Sequence, residues 1–267
     1  MKGADLHAPL LSTAPRRSNG MVWLAVELLV LTALVAYLYT YQGGQAWPFC
    51  TLRTPGLSPG SRLTLPGGGE VFVRDGGLNS PLVVETIKFY VVAIGVLASY
   101  PLLGMMELRA SGKRALTAVA MGLRATALTE VVLAAAKNYA SVPRPNFYAG
   151  CEWSDALQAC TADSERQMVF SQSFPSGHAA HAASVATLLT LRLLWHAERA
   201  VAESMHSNLL TLAAHLPGPI AVAIAASRVH DRWHHPADVV AGLGLGTAVA
   251  ALGHRLFVRG EQVVAHA

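Results

Sequence analysis

The chain consists of six long apolar segments separated by more polar ones. A helix needs about 20 apolar residues to cross the hydrocarbon core of a bilayer, and each segment reaches or approaches that length. One such segment alone could be the buried helix of a soluble protein, but six with few charges between them indicate a membrane protein. The predicted transmembrane helices are Met21–Tyr41, Phe89–Met106, Ala115–Ala136, Ala179–Trp195, Leu209–Ala226 and Pro236–Leu256.

Composition strengthens this prediction. Hydrophobic residues make up 52% of the 267 positions and charged residues only 13%, whereas soluble domains carry about 25% charged residues. The net charge of +4, with no basic run longer than Arg16 and Arg17, is too small to indicate a nucleic-acid partner. The sequence therefore predicts an all-α integral membrane protein, a bundle of six transmembrane helices. The sequence does not determine the oligomeric state, and it is compatible with a homo-oligomer.

The distribution of Lys and Arg predicts which helix ends face the cytosol, because cytosolic segments favour these residues. They occur in the N-terminal segment, after the second span, after the fourth span (where we count Arg192 and Arg199) and in the C-terminal tail. We predict residues 1–20 as a disordered cytosolic segment, residues 21–257 as the six-span domain and residues 258–267 as a cytosolic tail. The first span is predicted to be an uncleaved signal anchor.

The opposite face receives the two long loops, Gln42–Glu85 and Asn138–Gly177. It is lumenal if the protein resides in the endoplasmic reticulum or another endomembrane, and extracellular if it resides in the plasma membrane. All three cysteines, Cys50, Cys151 and Cys160, lie in these loops, where oxidising conditions permit disulfides. A Cys151–Cys160 pair, a pair that includes Cys50, and reduced thiols all stay open at this point.

Three charged stretches lie at the ends of apolar segments, and the predicted topology places all three at the outer face. The first ends the third span at Lys137 and continues to Arg144 and Pro145. The second leads into the fourth span, and the third joins the fifth span to the sixth. The residues of these last two stretches are Pro175, Ser176, Gly177, His178, Ser227, Arg228, His234 and Asp238. Because the stretches share one face, the sequence predicts a single site.

The cations of these stretches indicate an anionic ligand. Lys137, Arg144 and Arg228 would repel one another near a low-dielectric boundary unless an anion lay between them. A phosphate group supplies up to two negative charges and acceptor oxygens that match the arginine fork. Ser176 and the backbone N–H of Gly177 precede the fourth span, so they can donate to the same oxygens at a helix N-terminus.

The histidines predict the chemistry. His234 and Asp238 are four residues apart and share a face on a helical turn. A carboxylate bonded to one ring nitrogen fixes the tautomer and leaves the other nitrogen to attack phosphorus. His178 comes from another span and can protonate the leaving alkoxide, then activate water. The sequence thus predicts hydrolysis through a phosphohistidine, with neither a metal nor a cofactor.

The three stretches resemble the signature of the type 2 phosphatidic acid phosphatase and vanadium haloperoxidase superfamily. That signature contains a lysine followed by Arg-Pro, then Pro-Ser-Gly-His, then Ser-Arg with a later histidine and aspartate. Every position is present here, at the family's spacing and in its order. The resemblance implies phosphate binding by Lys137, Arg144, Ser176, Gly177, His178 and Arg228. The residues that it implies are catalytic are His178 as general acid, His234 as nucleophile and Asp238 as the partner that orients His234.

With six spans and an outward site, the chain resembles the lipid phosphate phosphatase branch of that superfamily. This implies a membrane-embedded enzyme that hydrolyses phosphatidate and related lipid phosphate monoesters without Mg²⁺. The alternative is a polyprenyl (dolichyl or undecaprenyl) diphosphate phosphatase, which shares the signature and the topology. The sequence does not distinguish phosphatidate from lysophosphatidate, sphingoid-base phosphates or diacylglycerol pyrophosphate, because apolar pockets discriminate weakly between lipid tails.

Other classes fit less well. A transporter would place charges near the middle of several spans, whereas the charged stretches here lie at one set of helix ends. A catalytically silent relative would lack a histidine or arginine of the signature, and a haloperoxidase would be soluble. A metal site formed by the histidines of the third stretch would leave the cations unexplained.

Residues outside the signature receive structural interpretations. We interpret His230, Asp231, Arg232 and His235 as rim or interface residues around the nucleophile, and Arg124 and Glu130 as members of a structural network inside the third span. The sequence of Gly242, Gly244 and Gly246 imitates a dinucleotide-binding loop but follows no strand, so we assign these glycines to close helix packing.

Overall fold

Helices and two small hairpins make up the described part of the chain. The computed structural model describes residues 20–40, 62–64, 70–72, 78, 80–108, 111–140, 142–154, 156–157, 159–201 and 204–265. Residues 1–19 and Cys50 lie outside these ranges, so the predicted N-terminal segment and the pairing of Cys50 stay predictions.

Seven of the described helices have ten or more residues and form the bundle. They are α1 (Gly20–Thr40), α2 (Phe89–Leu108), α3 (Gly112–Ala140), α6 (Gly177–Arg199), α7 (Met205–Ala214), α8 (Pro217–His230) and α9 (Pro236–Ala265). Two short helices, α4 (Phe147–Gly150) and α5 (Ser164–Phe170), lie between α3 and α6. The antiparallel strand pairs are β1 (Arg62–Thr64) with β2 (Glu70–Phe72) and β3 (Trp153–Ser154) with β4 (Ala159–Cys160).

The predicted all-α membrane fold is confirmed. Within the described residues, four helical segments are long and apolar enough to cross a bilayer: α2, α3, the α7–α8 pair over Met205–His230, and α9 over Pro236–Leu256. α7 and α8 together occupy the predicted fifth span. α6 is long enough but carries histidines and Arg192, and α1 contributes a shorter described apolar stretch, Ala25–Leu34. Membrane crossing by α1 and α6 therefore stays a prediction.

α6 is the central helix and packs against α2, α3, α7, α8 and α9. The closest approach is to α9, where Gly242 and Gly246 lie against the backbone of α6 at Ser176 and Ala180. A Cβ atom at either glycine would collide with that backbone, so only glycine allows this contact. The packing role predicted for these two glycines is confirmed. For Gly244 it is wrong within the described part of the chain, where no heavy atom outside the adjoining turns of α9 lies within 4 Å of its Cβ position.

Charged residues inside the bundle are paired. Arg124 of α3 donates from Nε to Glu27 Oε2 of α1 at 2.8 Å. Farther from the charged stretches, the buried Glu107 of α2 forms an ion pair with Arg192 and a 2.8 Å bond with His196 Nε2. Placing Arg192 in a cytosolic loop was therefore wrong. Its side chain lies within α6 and is buried, because Glu107 supplies the counter-charge that a buried guanidinium needs.

The structure pairs Cys151 with Cys160 in a disulfide. The bond closes a short loop across the β3–β4 hairpin, in which Cys160 pairs with Trp153. The hairpin lies between α3 and α6, in the loop that the sequence assigns to the outer face. Of the arrangements that the sequence leaves open, the structure therefore has the Cys151–Cys160 pair.

We expect Cys160→Ser to lower the free energy of unfolding by about 2–3 kcal/mol, because the bond restricts a short loop in the unfolded chain. Thermal unfolding of the purified protein in detergent measures this effect, and Cys151→Ser should match it. The control is Cys50→Ser, which should leave stability unchanged. A loss of similar size in Cys50→Ser would indicate a different pairing.

Candidate active site

The three charged stretches meet at one end of the bundle. α3 ends near Lys137, α6 begins at Gly177, and α9 begins at Pro236. The Nζ atom of Lys137 lies 3.8 Å from the Cβ position of Gly177. The Ser176 N–H donates to the Asp238 carbonyl oxygen at 2.9 Å, which ties the start of α6 to the first turn of α9. The segments thus form a single site, as their shared topology predicts.

Arg144 is held from two sides in the loop between α3 and α4. Its Nε donates to the Val169 carbonyl oxygen at 2.9 Å, and its guanidinium lies 5.3 Å from the centre of the Trp233 ring. Burial lowers the pKa of Arg144 to about 10, against the opposing pull of Glu85 and Asp238. The group still carries its positive charge at neutral pH.

Arg228, at the end of α8, is fully buried, hydrogen-bonded to Asp231 and ion-paired with Glu85. Its Nη2 lies 2.8 Å from Asp231 Oδ2, and its Nη1 lies 3.3 Å from Glu85 Oε2. Asp231 also accepts bonds of 2.6 Å from the backbone N–H and the hydroxyl of Thr86. Burial alone would raise the pKa of Asp231, but the bonds from Thr86 and His230 and the charge of Arg228 lower it below its usual value. An ionised Asp231 therefore fixes the guanidinium of Arg228.

The interpretation of Asp231 as a rim residue was wrong, because its side chain is 1% exposed and its role is to hold Arg228. The sequence signal was present as an arginine and an aspartate at i and i+3 at a helix end. Glu85 and Thr86 were also missed, since the segment before α2 carries no distinctive pattern. His230 and Arg232 are exposed, in agreement with a rim position.

His234 is buried, and its ring orientation is fixed by Ser173. Its Nδ1 lies 2.8 Å from the Ser173 carbonyl oxygen. Because that oxygen can only accept, Nδ1 carries the hydrogen and Nε2 holds the lone pair. Burial, together with the charges of Arg144 and Lys137, lowers the pKa of His234 to about 4, although Asp238 acts in the opposite direction. At neutral pH the ring is therefore uncharged and has one nitrogen able to attack.

The direct bond predicted between His234 and Asp238 was wrong. His234 Nδ1 lies 3.7 Å from Asp238 Oδ2, beyond hydrogen-bond distance. His234 precedes α9, which begins at Pro236, so the four-residue spacing does not span a regular helical turn. Asp238 instead accepts from the His235 N–H at 2.8 Å and from the Ser173 hydroxyl at 2.5 Å. Its carboxylate thus acts on His234 through Ser173 and through its charge.

Three buried polar atoms of the site have no hydrogen-bond partner within the described part of the chain. They are Ser176 Oγ, His178 Nε2 and Arg228 Nη1, whose 3.3 Å contact with Glu85 is an ion pair and not a hydrogen bond. Buried polar groups are almost always hydrogen-bonded, so unsatisfied groups at one site indicate a polar ligand. The edge of the Phe89 ring packs against His178, with ring centres 5.3 Å apart. Ser176, His178 and Arg228 all belong to the set of residues that the sequence predicts to bind phosphate.

Comparison with known proteins identifies a family to which the chain is similar. The family model of the PAP2 superfamily matches residues 115–261, which include every predicted site residue. Lipid phosphate phosphatase 1 of Arabidopsis thaliana is 36% identical over 142 residues, which cover 51% of this chain and 43% of that protein. The chain thus matches less than half of the length of this curated relative. No solved structure matches the chain. The family match covers more than half of the sequence, and the chain belongs to the PAP2 superfamily.

Proposed function

We propose that the protein is a membrane lipid phosphate phosphatase that hydrolyses phosphatidate and related lipid phosphate monoesters. The observation that carries the proposal is the neutral, buried His234, whose Nδ1 is held by Ser173 and whose Nε2 is left for attack. Similarity to a protein named lipid phosphate phosphatase supports the substrate class.

In the first step, Nε2 of His234 attacks phosphorus and forms a P–N bond while the P–O bond to the lipid breaks. Burial and the charges of Arg228, His234, Arg144 and Lys137 lower the pKa of His178 to about 3. A bound phosphate dianion opposes those charges, so His178 takes up a proton together with the substrate. It then donates this proton to the leaving oxygen, and an alcohol such as diacylglycerol departs. In the second step, water attacks the phosphohistidine and His178 accepts the water proton. The P–N bond breaks, inorganic phosphate leaves, and both histidines return to their starting states.

The surrounding cations stabilise the transferred group. Lys137, Arg144 and Arg228 supply positive charge around the equatorial oxygens, where a phosphoryl transition state carries its negative charge. Ser176 Oγ and the Gly177 N–H, at the start of α6, supply hydrogen bonds and the positive end of the helix dipole. We therefore propose that these residues take the part that a divalent cation takes in many other phosphoryl-transfer enzymes.

The site is proposed to face the lumen or the extracellular space. The support is the Cys151–Cys160 disulfide, which lies between the segments that carry Arg144 and His178. Disulfides persist in oxidising compartments and are rare in the cytosol. Lipid phosphates of the outer leaflet would then reach the site directly.

We expect purified protein in detergent to release phosphate from phosphatidate at the same rate, within about twofold, with and without EDTA. Colorimetric phosphate detection measures the rate, and orthovanadate should inhibit by occupying the phosphate site. Activity that requires added Mg²⁺ would contradict the metal-free mechanism. Phosphate release from a polyprenyl diphosphate but not from phosphatidate would favour the alternative substrate class.

A further inference from the structure

A cavity of about 600 Å³ lies beside the proposed catalytic centre, between α1, α2 and α3. Leu28, Val92, Leu97 and Leu123 are among the apolar side chains that line it. An apolar cavity of this volume fits a hydrocarbon chain. The proposed phosphate chemistry does not use this space.

One charged side chain lies in the wall of this apolar cavity. Glu130 of α3 bonds to His181 of α6, with 2.6 Å between Oε2 and Nε2. The Glu130 side chain is 26% exposed, and both residues line the cavity. A carboxylate within a membrane span is costly and is therefore usually retained for a function. A structural role, joining α3 to α6, would explain the hydrogen bond between Glu130 and His181. It would not explain why the Glu130 carboxylate lines a cavity.

The cavity adjoins the proposed catalytic centre, and the Phe89 ring lies between them. The ring of Phe89 lies 5.3 Å from the ring of His178 and 6.5 Å from that of His181, and it also lines the cavity. His181 follows His178 by three residues, which advances about 4.5 Å along the helix axis. That distance resembles the length of a three-carbon lipid backbone. A lipid whose ester oxygen is at His178 would thus present its next carbons to the Glu130–His181 pair.

We propose that the Glu130–His181 pair selects lipid phosphates that carry a hydrogen-bond donor, a hydroxyl or an ammonium, on the carbons next to the phosphate ester, while their tail occupies the cavity. An ionised carboxylate only accepts hydrogen bonds and has about four lone-pair sites, so Glu130 can accept from a ligand in addition to His181 and its other contacts. It binds a donor and repels the phosphate and ester oxygens. Phosphatidate, fully esterified, offers acceptors alone. This inference rests on the proposed function.

The test compares wild-type protein with Glu130→Gln in mixed detergent micelles. The substrates are lysophosphatidate (hydroxyl), a sphingoid-base phosphate (ammonium and hydroxyl) and phosphatidate (no donor), with matched chain lengths. We expect Glu130→Gln to lower kcat/KM about tenfold or more for the donor-bearing lipids and less than twofold for phosphatidate. A loss confined to the sphingoid-base phosphate would identify the ammonium as the recognised group. A loss in both would show that a hydroxyl is sufficient for recognition.

The matched control is Glu27→Gln, which removes another carboxylate that joins two helices but is not among the residues that line the cavity. It should leave the ratio of kcat/KM between substrates unchanged. Equal losses for all three lipids in Glu130→Gln would show a purely structural role, and no loss for any would show no role. Either result would overturn the inference about Glu130. The proposed function would still stand, because it is tested by phosphate release from the wild-type protein. If wild-type protein releases phosphate from none of the lipids, the proposed function fails.

Discussion

His234→Ala is expected to lower the rate of lipid phosphate hydrolysis at least about ten-thousandfold, because it removes the atom that forms the covalent intermediate. Neither the carbonyl of Ser173 nor the surrounding cations can replace a nucleophilic nitrogen. The rate is measured as phosphate released from phosphatidate in detergent. The intermediate is measured by quenching with alkali, in which phosphohistidine is stable, after mixing with ³²P-labelled substrate.

The matched control is His206→Ala, which removes an exposed histidine of α7, a helix that supplies none of the proposed site residues. It should retain wild-type turnover and wild-type labelling. Label that persists on the His234→Ala protein would assign the nucleophile to a different residue, and the adjacent His235 would be the first to examine. Full turnover by His234→Ala would exclude the covalent mechanism proposed here.

The position of the site could be predicted from the sequence because its components lie at helix ends. Long apolar segments fix where helices begin and end, and counting the spans assigns each end to one face of the membrane. α2 was predicted to begin at Phe89 and α9 at Pro236, and both do. Once the spans are placed, Lys137, His178 and His234 must share a face. The contact between Lys137 and Gly177 follows from that topology.

The orientation of the nucleophile could not be predicted in the same way. The group that accepts from His234 is the backbone carbonyl of Ser173, and a backbone carbonyl leaves no trace in residue identity. The spacing of His234 and Asp238 suggested a direct bond, but α9 begins between them. Asp238 therefore bonds to the His235 N–H at the helix start, where a carboxylate satisfies an otherwise unpaired donor.

Buried charges were the second source of error, because their partners are distant in sequence. Arg192 looks like a loop residue until Glu107 of another helix is placed beside it. Asp231 looks like a rim residue until Thr86, 145 residues earlier, donates to it twice. In each case the pairing partner decides whether the charge can be buried, and sequence spacing alone does not reveal that partner.

The second large effect is expected for His178→Ala and depends on the leaving group. A lipid alkoxide is a poor leaving group and needs a proton as the P–O bond breaks, so loss of the general acid should slow its hydrolysis about 10²–10⁴-fold. Nitrophenolate leaves without protonation. Formation of the phosphohistidine from 4-nitrophenyl phosphate should therefore be slowed less than about tenfold, as measured by the burst of nitrophenolate in a stopped-flow instrument.

The burst separates the two roles proposed for His178. Without this residue, water attack on the phosphohistidine loses its base, so the steady state after the burst should be slow for both substrates. With 4-nitrophenyl phosphate we expect a first turnover slowed less than about tenfold, followed by a slow steady state. With phosphatidate we expect the first turnover itself to be slow. Equal slowing of the first turnover on both substrates would contradict proton donation. His178 would then act by binding the phosphate, and another group would have to protonate the leaving oxygen.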